Sequence, residues 1–531
     1  MLCGDIVRRS ANRFPDKTAV IWEDTALTYQ ELDSAANRFA HALHSNGIHK
    51  GDHVAIISRN RTEYAIVFFG SAKAGTVLVN IPVQYTSEQF SFALQKADVK
   101  MLFIEDLFEP TVKNILGGVP TLAETIVIGR QGSSDYVAFD DFLTHADSDA
   151  EPEIDISEDD PFCMTFTGGT TGAPKGVLAT HRNRDTTAHT VLVEERLEDI
   201  DVVAIVTPMF HVAALNIMFQ PAMLAGATCV LQSKWDVETF AKNVKNHGIT
   251  AGFIVPTQGI HIVSDEAVDI ADLETLRKIS FAGAPMPDWV QRSLMENLPK
   301  LRITQIYGQS EVGVIAALPH RYLPEKLGSV GRQAYNTDIA LLDTNGNHVK
   351  PGEVGELCSR GANVMREYYN NPEETARFFK KGWGWTGDLG RMDEEGFIYL
   401  IDRSKDMLIS GGENIYPKEI ENAIFLHEHV ADCAVIGIPD EKWGEAPVAY
   451  VIPHSGVDLT AEELIEHCNK KLSRFKVPHL VLIVDSLPKT SMGKVQKHNL
   501  RAQYLEDFGG MAPLLAGQAE ARGQTSTWED N

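Results

Sequence analysis

Several short stretches of this sequence place small, hydroxyl-bearing and charged residues together in patterns that suit phosphate chemistry. The densest is Thr165-Phe166-Thr167-Gly168-Gly169-Thr170-Thr171-Gly172-Ala173-Pro174-Lys175-Gly176-Val177. Glycines let backbone N–H groups converge on an anion, threonine hydroxyls add donors, and Lys175 adds charge. This is not a Walker A loop, because Pro174 precedes Lys175 and Gly176 follows it. Alone it would equally suit a plain flexible loop, but the full order of residues favours phosphate binding.

Four more stretches follow along the chain. In Gln305-Ile306-Tyr307-Gly308-Gln309-Ser310-Glu311, Tyr307 can stack on a base, Ser310 donate to a phosphate and Glu311 offer Mg²⁺ a hard oxygen ligand. In Gly382-Trp383-Gly384-Trp385-Thr386-Gly387-Asp388, a carboxylate held by a glycine turn suits vicinal ribose hydroxyls, although Gly-Asp is also an everyday turn. The charged run Asp402-Arg403-Ser404-Lys405-Asp406, with Ser410-Gly411-Gly412-Glu413-Asn414 behind it, has the look of a solvated linker. Last, Pro488-Lys489-Thr490-Ser491-Met492-Gly493-Lys494-Val495 presents Lys494 on a small-residue loop.

Positioning such loops requires a rigid frame. Up to about residue 400 the chain alternates β-branched runs with amphipathic segments. Val54–Ile57, Thr76–Ile81 and Met101–Ile104 suit strands; Thr62–Ala74, closed by Gly75, and Ser87–Lys96 suit helices. That alternation predicts layered α/β subdomains with partly parallel sheets. Beyond Asp402–Lys405 the pattern becomes a short helix (Pro417–Phe425), two strands (Cys433–Ile438, Pro447–Ile452), a helix and a strand (Leu480–Val484). The second of these helices opens with Thr460 and has Glu463 three residues on, a capping-box pattern, with Leu464, Ile465, Cys468 and Leu472 on one face. The chain is therefore expected to divide at residues 1–404 and 405–508, with 509–531 a frayed tail rich in small and polar residues.

A length of 531 residues, with 44% hydrophobic and 23% charged residues, fits a soluble globular protein of several compact units. The formal charge of −25 argues against nucleic-acid or anionic-lipid binding, so individual cations in loops carry more weight. The six cysteines form no C-x-x-C pair, which disfavours zinc and disulfides and favours a reducing compartment. Met1–Val20 is interrupted by Asp5, Arg8, Arg9 and Asp16 and lacks a signal-peptide core. Val212–Leu231, the most apolar stretch, contains Asn216, Gln220, Pro221 and Gly226 and suits a buried helix, a turn and a strand better than a membrane span. A cytoplasmic enzyme is expected.

Taken in order over residues 10–505, these motifs resemble the adenylate-forming superfamily of acyl-CoA synthetases, peptide-synthetase adenylation domains and firefly-type luciferases. The resemblance extends to Pro208-Met209-Phe210-His211 and to Gly283-Ala284-Pro285. It implies a large N-terminal domain of α/β subdomains and a small mobile α+β C-terminal domain. It further implies ATP, Mg²⁺ and coenzyme A as reactants and cofactor. In that family's terms Thr167, Gly168, Gly169, Thr170, Thr171, Gly172 and Lys175 would hold the ATP phosphates, and Ala284, Pro285 and Tyr307 the adenine. Ser310 would contact the adenylate phosphate, Glu311 the Mg²⁺, and Asp388 and Arg403 the ribose. Lys494 would bridge carboxylate and α-phosphate, Lys405 would be the hinge, and His211 would gate the acyl pocket. Gly411, Gly412, Trp443 and Phe475 would line the pantetheine tunnel. Two departures stand out. Gly168 occupies a position where the family usually has Ser, and Ser310 replaces a Thr.

The expected activity is conversion of a carboxylic acid, ATP and coenzyme A to acyl-CoA, AMP and pyrophosphate. Beside His211, the residues Ala213, Ala214, Ile217 and Ala282 are small or apolar, with no evident cation for a second carboxylate. A monocarboxylate with an apolar body, medium-chain or aromatic, fits best. The alternatives are a free-standing enzyme that loads a carrier protein, a luciferase-like oxygenase, and a non-catalytic nucleotide or acyl sensor. Retention of Glu311, Asp388 and Lys494 argues against the sensor. The oligomeric state stays open, a homodimer included.

Overall fold

The computed structural model describes residues 1–129, 136–167, 174–410, 413–440, 442–489 and 495–508. Gly168, Gly169, Thr170, Thr171, Gly172, Gly411, Gly412, Lys494 and the expected tail lie outside them.

Strand alternation explains the layering. In His53–Ile57, Val54 and Ile56 enter one hydrophobic cluster while Ala55 and Ile57 enter another, so the strand is covered on both faces. It lies inside an eight-stranded sheet whose spatial order is Glu367–Tyr368, Lys175–Thr180, Pro161–Thr167, Val77–Asn80, His53–Ile57, Val99–Glu105, Glu124–Ile128 and Val137–Ala138. A nine-stranded sheet has a parallel centre made by Thr228–Leu231, Val202–Ile205, Ala251–Ile254, Lys278–Phe281 and Arg302–Gln309. The largest cluster joins residues of both sheets through four helical segments, Cys3–Arg13, Tyr29–Ser45, Thr62–Ala74 and Val212–Ala225. This position explains why nearly every residue of Thr62–Ala74 is buried, and why it shows almost no amphipathic face. Where it crosses Tyr29–Ser45, a Cβ on Gly70 would stand 2.4 Å from Phe39 Cδ1, so close approach requires glycine.

A five-stranded antiparallel sheet follows, built from Asp338–Leu342, Val354–Arg360, Trp383–Met392, Phe379–Lys380 and Ile398–Arg403. The last sheet uses only residues beyond the charged run: Glu413–Ile415, Leu408–Ser410, Gly444–Pro453, Val430–Asp440 and Leu480–Ile483. Helices Pro417–Phe425 and Ala461–Asn469 pack against it in one small core. The α/β class expected from alternation, with a smaller α+β portion behind it, is the architecture observed. Only the hydroxyl half of the capping box forms. Thr460 Oγ1 accepts from the Glu463 N–H at 3.2 Å, while the Glu463 carboxylate faces His427 instead.

Val212–Leu231 is buried helix, glycine turn and strand, as its polar interruptions predict. Pro221 has no N–H for the carbonyl four residues back, and the helix widens to a π-turn over Leu215–Phe219. Among the described residues no helix is long and apolar enough to cross a membrane.

Candidate active site

In an open parallel sheet, ligands gather where the strands end at their carboxyl edge, because loops there diverge. Here that edge carries Thr207–His211 after Val202–Ile205, Ala282–Pro285 after Lys278–Phe281, and Ser310–Val312 after Arg302–Gln309. Asn60, buried, ties the first of these loops down. Its amide nitrogen donates to the carbonyls of Ile205 (3.2 Å), Thr207 (2.8 Å) and Gln232 (3.1 Å), and its oxygen accepts from Met209 N–H at 2.7 Å. His211 then caps the following helix, with Nδ1 accepting from the Ala213 N–H at 3.3 Å.

The turn at Ser310–Val312 has a local cause. A Cβ on Gly308 would sit 2.0 Å from the Gly313 carbonyl oxygen, and the strand pairing slips between Tyr307 and Gly308. Only glycine allows this hairpin to close so tightly, and the closure projects Ser310 and Glu311 outward, both half-buried.

Two polar clusters flank that turn. In one, the buried Asp388 carboxylate accepts from Tyr307 Oη at 2.5 Å, from Gln309 Nε2 at 2.7 Å, and pairs with Arg403 Nε at 2.5 Å. Asp388 and Arg403 face each other across adjacent strands. Burial opposes the Arg403 charge, but the carboxylates of Asp388, Glu311 and Asp406 outweigh it and hold the guanidinium firmly protonated. Burial, then the Asp388 charge, pushes the Tyr307 phenol far above its ordinary value, so it stays a donor.

In the other cluster Lys175, half-buried, pairs with Glu374 and lies over the Tyr368 ring, its Nζ 5.2 Å from the centroid. Tyr368 Oη donates to Glu311 Oε1 at 2.9 Å. The Lys175 ammonium holds the Glu374 carboxyl below its usual range. Among the described residues no three His, Cys, Asp or Glu side chains converge as a metal cage. Mg²⁺ takes one or two protein carboxylates and completes its shell with substrate phosphates and water. Glu311 fits such a role, since its Oε1 is engaged by a neutral donor that leaves the carboxylate charge in place.

Sequence reasoning singled out Thr167, Lys175, Tyr307, Ser310, Glu311, Asp388 and Arg403, and the structure groups most of them into these clusters. Among the described residues Thr167 Oγ1 donates to the Lys175 carbonyl, at 3.4 Å. Ala284 and Pro285 are exposed beyond Gly283, whose φ of 90° needs no strain only because it is glycine. Ala213 and Ile217 are nearly buried and Ala282 half-buried, whereas Ala214 is sealed in the main core at 0% exposure. Trp443 and Phe475 are exposed aromatics, 43% and 41% accessible. Lys405, exposed, lies in a turn in which Asp406 N–H and Met407 N–H both donate to the Arg403 carbonyl. Gln309, Tyr368, Glu374 and Asn60 had no assigned part. Gln309 lies within the Gln305–Glu311 motif, but the others reach the site through contacts distant in sequence.

The model of the AMP-binding enzyme family matches residues 7–369, and that of the AMP-binding enzyme C-terminal domain matches residues 419–494. A feruloyl-CoA synthase of Amycolatopsis sp is 35% identical over 498 residues, covering 93% of this chain and 98% of that protein. A fatty acid–[acyl-carrier-protein] ligase, ScoC, of Streptomyces coeruleorubidus is 34% identical over 509 residues, covering 94% and 95%. ATP-bound MatB from Rhodopseudomonas palustris superposes with a TM-score of 0.87 at 26% identity, covering 95% of this chain and 99% of that one. The chain belongs to the AMP-binding enzyme family, and it is an AMP-forming acid–thiol ligase of the acyl- or aryl-CoA type, using ATP, Mg²⁺ and coenzyme A.

Proposed function

We propose that this enzyme activates a monocarboxylic acid with an apolar body, medium-chain or aromatic, and transfers it to coenzyme A in the cytoplasm. The observation that carries the reading is the placing, on either side of the Ser310–Val312 turn, of a carboxylate–guanidinium cluster (Asp388, Arg403) that Tyr307 joins and a lysine–carboxylate cluster (Lys175, Glu311) that Tyr368 joins. The first suits a ribose beside a base at Tyr307, Ala284 and Pro285. The second suits a polyphosphate and its cation, with the loop Thr167–Lys175 and Ser310 as further donors. The half-buried Ala282 and the near-buried Ala213 and Ile217 supply an apolar wall beside His211, which supports an acid without a second charge.

A carboxylate oxygen of the acid attacks the α-phosphorus of ATP, the α–β bridging bond breaks, and pyrophosphate leaves. Both partners are anions, so fixed donors and cations must offset their repulsion. Lys175 and Lys494 supply charge, and Glu311 would hold Mg²⁺, which when bound neutralises part of the phosphate charge. The thiol of coenzyme A then attacks the adenylate carbonyl, the acyl–phosphate bond breaks with AMP leaving, and the thiol proton is lost. Trp443 and Phe475, with Gly411 and Gly412, would flank the pantetheine arm. Residues 405–508 would move as a unit about Lys405 between the two steps, relative to residues 1–404.

Relatives of this similarity include both a feruloyl and a fatty-acid enzyme, which supports either acid body, and one of them takes a carrier protein. Pyrophosphate release over a panel of alkanoic, cinnamic and dicarboxylic acids, with coenzyme A or a phosphopantetheinyl carrier as acceptor, tests the reading. Turnover of an apolar monocarboxylate with coenzyme A is expected. Preference for a dicarboxylate, or for the carrier, would overturn it.

A further inference from the structure

We propose that Tyr368 is a positioning residue that sets both Glu311 and Lys175 for the magnesium–nucleotide complex; this rests on the reading of Glu311 as metal ligand and Lys175 as phosphate ligand. Tyr368 belongs to the short strand Glu367–Tyr368 and pairs with Val177, two residues from Lys175, so its backbone is fastened to the strand that carries that lysine. Its N–H donates to Thr375 Oγ1 at 3.0 Å, and its ring meets Phe378 edge-on with centroids 6.1 Å apart. The side chain is 8% exposed and has little freedom to move.

From that fixed place it touches both groups. The hydroxyl donates to Glu311 Oε1 at 2.9 Å, and three residues upstream the Met365 N–H donates to the Glu311 carbonyl at 2.7 Å. Side chain and backbone of Glu311 are thus both held by the segment 365–368. The ring face lies 5.2 Å from Lys175 Nζ, close enough for the ring quadrupole to attract the ammonium. A phenol suits this task better than a cation would. It orients a carboxylate as a neutral donor, whereas Lys or Arg in its place would compete with Mg²⁺ for the carboxylate charge. A tyrosine with a purely structural part could satisfy its hydroxyl on any backbone carbonyl; this one uses Glu311.

Tyr368→Phe deletes the hydroxyl and keeps the ring; Tyr368→Leu removes both contacts. The readout is equilibrium binding of α,β-methylene-ATP, measured in Mg²⁺ and in EDTA. A hydrogen bond to a charged group is worth about 1.5–3 kcal/mol, so Tyr368→Phe should weaken binding in Mg²⁺ by about tenfold or more. In EDTA it should change binding little, and Tyr368→Leu should weaken binding in both conditions. In a Glu311→Gln background the Phe substitution should add nothing. Wild-type binding by Tyr368→Phe in Mg²⁺, an equal loss in EDTA, or a loss that persists in the Glu311→Gln background would each overturn the proposal. If Glu311→Gln alone leaves the Mg²⁺-dependent gain intact, the metal-ligand reading itself falls, a result separable from the others. Should Tyr368→Leu fail to fold, Tyr368→Phe still decides, because it removes one oxygen and no packing.

Discussion

Lys175 is ion-paired with Glu374, a residue 199 positions further along the chain that stands in the first turn of the helix Pro372–Phe378. Asn371 caps that helix and accepts from the Glu374 N–H at 3.3 Å, so the carboxylate is presented from a fixed support. Glu374 also pairs with Arg377. In the proposed role of Lys175 as phosphate ligand, an incoming phosphate would meet an anion already there, which could pass to Arg377.

Glu374→Gln removes that competitor. The pair is partly exposed, and such pairs are worth about 0.2–1 kcal/mol. The Michaelis constant for ATP should fall by about 1.5- to 5-fold, read from pyrophosphate release at subsaturating ATP. A rise would mean that Glu374 aims Lys175 more than it blocks it.

The alanines near His211 should separate. Ala214 is sealed in the core, so Ala214→Leu overpacks it at about 1–3 kcal/mol and should lower the melting temperature. Ala282 is half-buried at the carboxyl edge, where Ala282→Leu should leave the melting temperature near the parent value. The Ala282 change should instead cut catalytic efficiency for cinnamate- or octanoate-sized acids more than for butyrate. Equal losses for all acids would remove Ala282 from the acyl wall.

Glu195, at the end of the helix His181–Glu195, is buried, and burial, then repulsion from Glu194, raises its carboxyl to about 8. In the unfolded chain it ionises near 4.5. Between those values the unfolded state has lost a proton that the folded state keeps, so stability falls as pH rises from about 4.5 to about 8 and then levels. Glu195→Gln removes this dependence. Its melting temperature relative to the parent should climb from pH 5 to pH 8, as calorimetry would detect; a constant difference would place the titration elsewhere.

Lys405 sits in the turn after Arg403, and beyond it Asp406 pairs with Arg501 at 3.1 Å while Asp402 accepts from the Lys418 N–H at 2.7 Å. These contacts tie the helices Pro417–Phe425 and Lys497–Phe508 to the turn. Lys405→Pro fixes φ near −65° and should hold one orientation. Single-turnover pyrophosphate release should persist while steady-state thioester formation fails. Unchanged thioester synthesis would move the pivot elsewhere.

The elements themselves were legible along the chain. Thr62–Ala74 and Ser87–Lys96 have the bounds that caps and composition predict, and Pro417–Phe425 likewise, because a cap, a terminating glycine or a proline acts within a few residues of the end it specifies. The strands stand where expected with shifted ends: Val99–Glu105 and Val430–Asp440 extend beyond Met101–Ile104 and Cys433–Ile438, because partner strands recruit residues that pattern alone leaves neutral, whereas Val77–Asn80 and Leu480–Ile483 are shorter than Thr76–Ile81 and Leu480–Val484. The motif residues Lys175, Tyr307, Glu311, Asp388 and Arg403 were visible for the same local reason: glycine turns and charges set close together. What holds them was not. Tyr368 on Glu311, Glu374 on Lys175, Gln309 on Asp388 and Asn60 on the loop before His211 join residues 57 to 199 positions apart, or span 149 in the case of Asn60 and Met209. No local pattern encodes such pairings. They exist because strand ends of three different sheets meet around the Ser310–Val312 turn, and burial there leaves each polar group only those partners that the folded chain supplies.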